Sequence, residues 1–359
     1  MAILRDFRGL RIVTAAAIAI LIALLVLLNH RLPEGFHPLA SLPGSLSTQP
    51  THQTITQHTN STGKLAYVTW LSSTLVGPDS EDLDNDNYFI ATRILVWQLL
   101  HAPKTRSHGI DVVVVITPSV SESRRKRLEK DGAIVRRVEF VHGKNEGWIN
   151  PEQERWKDIM TKLRVWEMVD YERMLMLDGD TILNKPLDDA FNDPGAQIVS
   201  TLPVGHAESR RKGDEPDLPS QYLLASVGET KNYNHTWPPT KPTDFERPDY
   251  FCAGFFLLSP SLELFKYYTA LLDIKNRFDT RYMEQSLLNY AHRPDGPMPW
   301  KEVDYKWNVR HVNERDVEKG LVSMHEKWWL LPWSGSTKLR DEFLKIRWEM
   351  EGWYMERNR

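Results

Sequence analysis

Asp178 and Asp180 flank Gly179 where an apolar run stops, in the stretch ERMLMLDGDTILNKPLDD from Glu172 to Asp189. Two carboxylates one residue apart at a buried strand end cannot both be left uncompensated, because desolvating each is costly without a cation or donors. One answer is a turn in which both side chains accept from their own backbone amides. The other is a divalent cation held by hard oxygen ligands, which would also carry a diphosphate. The three residues alone fit both.

Strands and helices alternate on the approach to this stretch. KLAYVTWLSS reads as a strand, NYFIATRILVWQLLH has apolar residues at helical spacing, and IDVVVVIT is a short continuous apolar run suited to a buried parallel strand. The pattern then repeats: SESRRKRLEKDG is a charged helix closed by Gly132, AIVRRVEF alternates as a strand, and WKDIMTKLRVWEMVDY is an amphipathic helix before RMLMLDGD. This predicts an α/β fold with an open, mostly parallel sheet, helices on both faces, and ligands beyond the carboxyl ends of the strands. From Val204 to Asp249 the chain is polar and Pro-rich, which reads as a loop over the site. YFCAGFFLLSPS returns as a buried strand and RYMEQSLLNYA as a helix.

The balance of charge, −3 over 359 residues, shows no basic footprint, so nucleic acid is not expected as a partner. An uncharged apolar run from Ile12 to Leu28 follows Arg5, Arg8 and Arg11, the pattern of an uncleaved signal anchor that leaves the N-terminus in the cytoplasm. The run exceeds a usual signal-peptide h-region, and no A-x-A-like site follows Leu28. From Arg31 to about Gly63 the chain is polar and aperiodic, as a solvated stem would be. Asn60-Ser61-Thr62 and Asn234-His235-Thr236 are glycosylation sequons that suit a lumenal domain. Cys252 is the single cysteine, so no intramolecular disulfide can form.

Beyond D-G-D, a series of blocks resembles the glycogenin-like glycosyltransferases of family 8, including fungal Golgi members of type II topology. TKLRVWEMVDYERMLMLDGDTILNKPLDDAF is similar to that family's metal-binding segment, and YVTW with NDNY resembles its first strand and nucleotide loop. FCAGFFLLSPS resembles its Asn-x-Gly strand, EQSLLN its Asp-Gln-x-x-Leu-Asn helix, and VSMHEKWWLLPW its terminal His and Lys-Pro-Trp block. The resemblance implies a GT-A type nucleotide-diphospho-sugar transferase fold, Rossmann-like, preceded by a transmembrane helix. It implies Mn2+ on Asp178, Asp180 and His325. It puts Thr69, Tyr88, Lys162 and Gly179 with the nucleotide-sugar, and Gln285 and Glu284 beside the sugar undergoing transfer with retention.

Three positions depart from the family pattern. Cys252 replaces an Asn that could bond a sugar hydroxyl, Trp328 a Gly, and Leu331 a Lys that meets phosphate; Lys327 is the cation left to substitute. The expected protein has a cytoplasmic tail at 1–11, a transmembrane anchor at 12–28, a stem at 29–63 and a lumenal catalytic domain at 64–359, in the Golgi or endoplasmic reticulum. It would move a hexose, glucose or N-acetylglucosamine, from a UDP-sugar to a glycan, glycoprotein or glycolipid. A homodimer is among the expected partners. The competing readings are a weak or inactive carbohydrate-binding scaffold, motivated by Trp328 and Leu331, and a retaining glycosidase, which adjacent carboxylates fit poorly. Trp328, Trp329, Trp333, Trp348 and Trp353 would either stack on sugars or pack the core.

Overall fold

The computed structural model describes residues 63–72, 83, 85–203, 212–329 and 336–357. The expected anchor, the stem up to residue 62, the Asn60 sequon, and Leu331, Pro332 and Trp333 lie outside the described residues. Among the described residues no helix is long and apolar enough to cross a membrane.

The first half of the domain alternates as its sequence predicts. β1 (Leu65–Leu71) is followed by α1 (Asn87–Leu100), β2 (Asp111–Ile116), α2 (Glu122–Lys130) and β3 (Ile134–Arg137). Asp86 caps α1 by accepting from the Phe89 amide at 3.0 Å, and Gly132, at φ +102°, supplies the left-handed turn that closes α2. β4 (Arg173–Leu177) carries the run that ends at Asp178, and β5 (Thr181–Leu183) leaves the turn beyond it. Short strands β6 (Val199–Ser200) and β7 (Gln221–Tyr222) pair with each other, and β8 (Leu224–Gly228) and β9 (Phe251–Leu258) complete the core strands. The chain ends through α3 (Leu262–Leu272), α4 (Met283–Ala291), β10 (Lys301–Glu302), β11 (Asn308–Arg310), α5 (Glu314–Glu318), β12 (Ser323–His325) and α6 (Thr337–Arg357).

The main sheet has seven strands in the order β10-β8-β9-β4-β1-β2-β3. β9 pairs antiparallel with both neighbours and every other pairing is parallel, so the sheet is mixed α/β and mostly parallel. Side-chain alternation divides β1 and β4 between two buried faces. Ala66, Val68, Met174 and Met176 pack with Leu264, Tyr268 and Leu287 of α3 and α4, whereas Tyr67, Leu175 and Leu177 pack with Phe89, Leu95 and Leu99 of α1. Burial on both faces explains why these strands read as unbroken apolar runs. A third cluster joins the far side of α1, through Ile90 and Ile94, to Phe343 and Met350 of α6.

Two sequence readings need correction. The excursion from Val204 to Asp249 is not all loop, because all five residues of β8 are buried in the main sheet. Its short run YLLASVG was hidden by Pro-rich flanks. The segment read as an amphipathic α-helix is instead wound as 3-10 turns, Glu154–Trp156 and Ile159–Glu167. Within the second run, three residues per turn put Ile159 and Lys162 on one face.

Candidate active site

Strand register assembles the first group of residues. Asp178 continues β4 and donates its amide to Gly254 of β9 at 2.9 Å; the chain then turns, with the Thr181 amide donating to the Asp178 carbonyl at 3.0 Å. β5 pairs antiparallel with β12, which sets His325 opposite Thr181, one residue past Asp180. Two glycines permit the packing. A Cβ at Gly179 would lie 2.7 Å from the Thr92 hydroxyl of α1, and one at Gly254 would lie 2.2 Å from His325 Cε1.

One ligand atom from each of Asp178, Asp180 and His325 lies within 4.8 Å of the others. The carboxylates are held from outside. Asp178 Oδ1 takes the Lys162 ammonium at 2.6 Å, while its Oδ2 faces His325 Nε2 at 3.6 Å. Asp180 Oδ2 takes the Lys327 ammonium at 3.0 Å, while its Oδ1 faces the same Nε2 at 3.1 Å. The two inner oxygens and the imidazole nitrogen therefore converge, a donor set suited to a divalent cation with oxygen and nitrogen ligands.

Charge follows from these contacts. Burial opposes ionisation of Asp180, but Lys327 and His325 outweigh it and hold the carboxyl well below its usual range. Burial likewise opposes the charge on His325, and Asp180 then Cys252 lift it to about 10. Lys162, 3% exposed, is disfavoured by burial yet held above its ordinary value by Asp178 and Glu284. Burial pushes the Glu284 carboxyl up, with its ion pair to Lys162 at 2.9 Å opposing.

Two cavities meet at this group. The larger, about 540 Å³, runs past Cys252, Gln285, Glu229 and Arg310; the smaller is lined by Trp70, Leu71, Tyr88 and Thr92. Their shared wall is Trp156, Ile159, Lys162, Asp178 and Lys327. The 3-10 winding accounts for Ile159 and Lys162, three residues apart in one run.

Most residues singled out from the sequence lie on these walls. Tyr88 lines the smaller cavity, accepts from Arg155 at 3.0 Å, and meets Trp329 edge-on with ring centroids 4.9 Å apart. Gln285 accepts from the Ala253 amide at 3.0 Å and donates to Glu229 at 2.9 Å. Cys252, 2% exposed, touches His325 Nδ1 through its sulfur at 3.6 Å. Thr69 is the exception: it shares the face of β1 with Tyr67 and Leu71, and its buried hydroxyl has no partner among the described residues. Trp70 and Leu71, not Thr69, reach the smaller cavity.

The tryptophans mostly pack. Trp328 is 1% exposed in the cluster with α1 and α6, Trp353 stacks on His101 at 4.2 Å, and Trp348 points to solvent. Sequence reasoning missed Glu229, Arg310, Arg155 and Trp156. Glu229 is 4% exposed and forms ion-paired and hydrogen-bonded contacts with Arg310 and Gln285. Its one signal was a carboxylate directly after the apolar run of β8.

A cavity beyond the carboxyl ends of a mostly parallel sheet, with carboxylates, an imidazole and lysines converging at its waist, defines an α/β protein with a polar ligand site. Glycosyl transferase family 8 matches residues 84–339, and the chain belongs to that family; it is a glycosyltransferase. An uncharacterized protein of Schizosaccharomyces pombe is 30% identical over 275 residues, 68% of this chain and 69% of that protein. Galactinol synthase 2 of Arabidopsis thaliana is 28% identical over 191 residues, half of each chain. Among solved structures, a galactosyltransferase crystallised with donor and acceptor sugar analogs is similar at TM-score 0.45 and 13% identity, covering 79% of this chain and 95% of that one.

Proposed function

We propose that the protein is a retaining hexosyltransferase with a GT-A type fold, which uses a UDP-sugar and Mn2+ to glycosylate a glycan, glycoprotein or glycolipid. The observation that carries this reading is the convergence of one oxygen each from Asp178 and Asp180 on His325 Nε2, with the outer oxygens tied to Lys162 and Lys327. Asp178, Asp180 and His325 would hold the cation, which when bound neutralises charge on the departing nucleoside diphosphate.

The protein's own groups divide the remaining work. Tyr88 and Trp70 give the smaller cavity aromatic walls for the base, with Gly179 allowing the turn to close against α1. Lys162 and Lys327 stand on the wall common to both cavities, where a diphosphate joining nucleoside to sugar must pass. Gln285, Glu229 and Glu284 line the sugar side, and Glu284 also accepts from Lys162 and so fixes that lysine. In transfer the bond from the anomeric carbon to diphosphate oxygen breaks, a bond to the acceptor oxygen forms, and the acceptor's hydroxyl proton passes to the departing diphosphate or, through it, to solvent. Glucose or N-acetylglucosamine is the proposed sugar, and a type II, single-pass protein of the Golgi or endoplasmic reticulum, paired as a homodimer, is the proposed setting.

Calorimetric titration of the purified full-length chain with UDP, with and without Mn2+, tests the reading. Mn2+-dependent binding supports it, and the absence of UDP binding in both conditions overturns it.

A further inference from the structure

His325 is seated by two alternate residues of β9. Its Nε2 faces Asp180 Oδ1 at 3.1 Å and Asp178 Oδ2 at 3.6 Å, so Nε2 is the nitrogen on the cation side. Nδ1 lies 3.6 Å from the Cys252 sulfur. Two residues along the strand, Gly254 leaves the space the ring fills: a Cβ there would lie 2.2 Å from Cε1 and 2.4 Å from Nδ1. Residues i and i+2 of a strand share a face. The thiol and the missing side chain thus fix the imidazole from one surface.

We infer that Cys252 is a positioning residue for the metal centre: its sulfur accepts the Nδ1–H of His325, so that when a cation takes the place of the Nε2 proton the Nε2 lone pair is aimed at the space between Asp178 and Asp180. This rests on the reading of those residues as a cation site. A metal-ligating imidazole ordinarily donates its second N–H to a carboxylate, carbonyl or water, and loss of that partner costs about 10- to 100-fold in metal affinity. Here the partner is a thiol, a weak acceptor. The sequence suggested that replacing an Asn at this position bears on sugar choice. The geometry gives the position a second duty, orienting a ligand, and makes the strength of the cation site depend on sulfur.

The test is Mn2+ binding to the full-length chain, followed by electron paramagnetic resonance of the free ion, for the native protein, Cys252→Ser and Cys252→Ala. Cys252→Ala should weaken Mn2+ binding about 10- to 100-fold, and Cys252→Ser, whose hydroxyl accepts from the same place, should restore it to within a few fold of native. Equal affinity in the native and Cys252→Ala proteins overturns the inference. A native chain that binds no Mn2+ overturns the cation reading beneath it, which separates the two failures. If Cys252→Ala does not fold, nitrogen NMR of the native protein with Mg2+ decides, using His325→Gln to assign the ring: Nδ1 must carry the proton, and a bare Nδ1 overturns the inference.

Discussion

The half of the cavity that we assign to a cation and the half that we assign to the sugar share walls but arrange their charged groups differently. In the cation half, Asp178 and Asp180 each commit one oxygen to a lysine and turn the other inward toward His325, so the charges are matched by lysines while the inner oxygens converge on one point. In the sugar half, Glu229 is matched by Arg310 and tied to Gln285, so charge is spent pairwise and what faces the cavity is a set of oriented dipoles. A point of converging oxygens suits a metal ion; paired groups suit hydroxyls, which need donors and acceptors more than net charge.

The largest effect should come from removing one inner oxygen. Asp180→Asn keeps the shape of the turn but withdraws a buried charge shared by His325 and Lys327, and transfer should fall by about 10²–10³-fold or more. Folding should survive, as circular dichroism would show. Normal turnover by this variant would erase the distinction between the halves.

Gly254→Ala attacks the same half sterically. The new Cβ would sit 2.2 Å from His325 Cε1, part of a ring with little room to move, so the imidazole or the strand must shift. Overpacking of this kind costs about 1–3 kcal/mol. Thermal unfolding should register that loss, and Mn2+ titration should show weaker binding while UDP-free folding persists.

Glu229→Gln addresses the other half. It keeps a side chain able to meet Gln285 but removes the charge opposite Arg310, and hydrogen bonds to charged groups contribute about 1.5–3 kcal/mol. The expected result is a fall in kcat/KM of about tenfold or more, with Mn2+ affinity unchanged. A matching loss of Mn2+ affinity would mean that the two halves act as one network.

These halves were not equally legible in the sequence. Asp178 and Asp180 announce a charge problem because two carboxylates at the end of an apolar strand are costly without compensation, whereas His325, which β12 brings to them from far along the chain, was reached only through the resemblance of its block to the family. Glu229 and Arg310 are ordinary surface types in polar surroundings, and only the pairing of distant strands makes them a site. Thr69 failed for a simpler reason: strand alternation turns it toward α1, so one residue along, at Trp70, the chain reaches the cavity wall instead. The 3-10 winding of Ile159–Glu167 was invisible because apolar spacing over so short a run fits either helix.

The smallest effect concerns the scaffold under the sugar half. His292 follows α4, the helix that carries Glu284 and Gln285; it is fully buried, with Nδ1 2.7 Å from the Met298 carbonyl and Nε2 2.6 Å from the Tyr268 hydroxyl. Nδ1–H therefore donates to the carbonyl, and neutral Nε2 accepts from the tyrosine. Burial pushes this imidazole down to about 4 from 6.5. The unfolded chain then binds a proton between those values that the folded chain refuses, so the stabilisation is complete above the unfolded value and is lost as pH falls toward 4. One such proton gives a slope of at most about 1.4 kcal/mol per pH unit. His292→Gln cannot titrate, so its urea midpoint should drop less than that of the native protein between pH 7 and pH 5, whatever the absolute stability of each. Parallel pH profiles would show that α4 is anchored without help from a neutral imidazole, and the sugar half would then be no more acid-sensitive than the cation half.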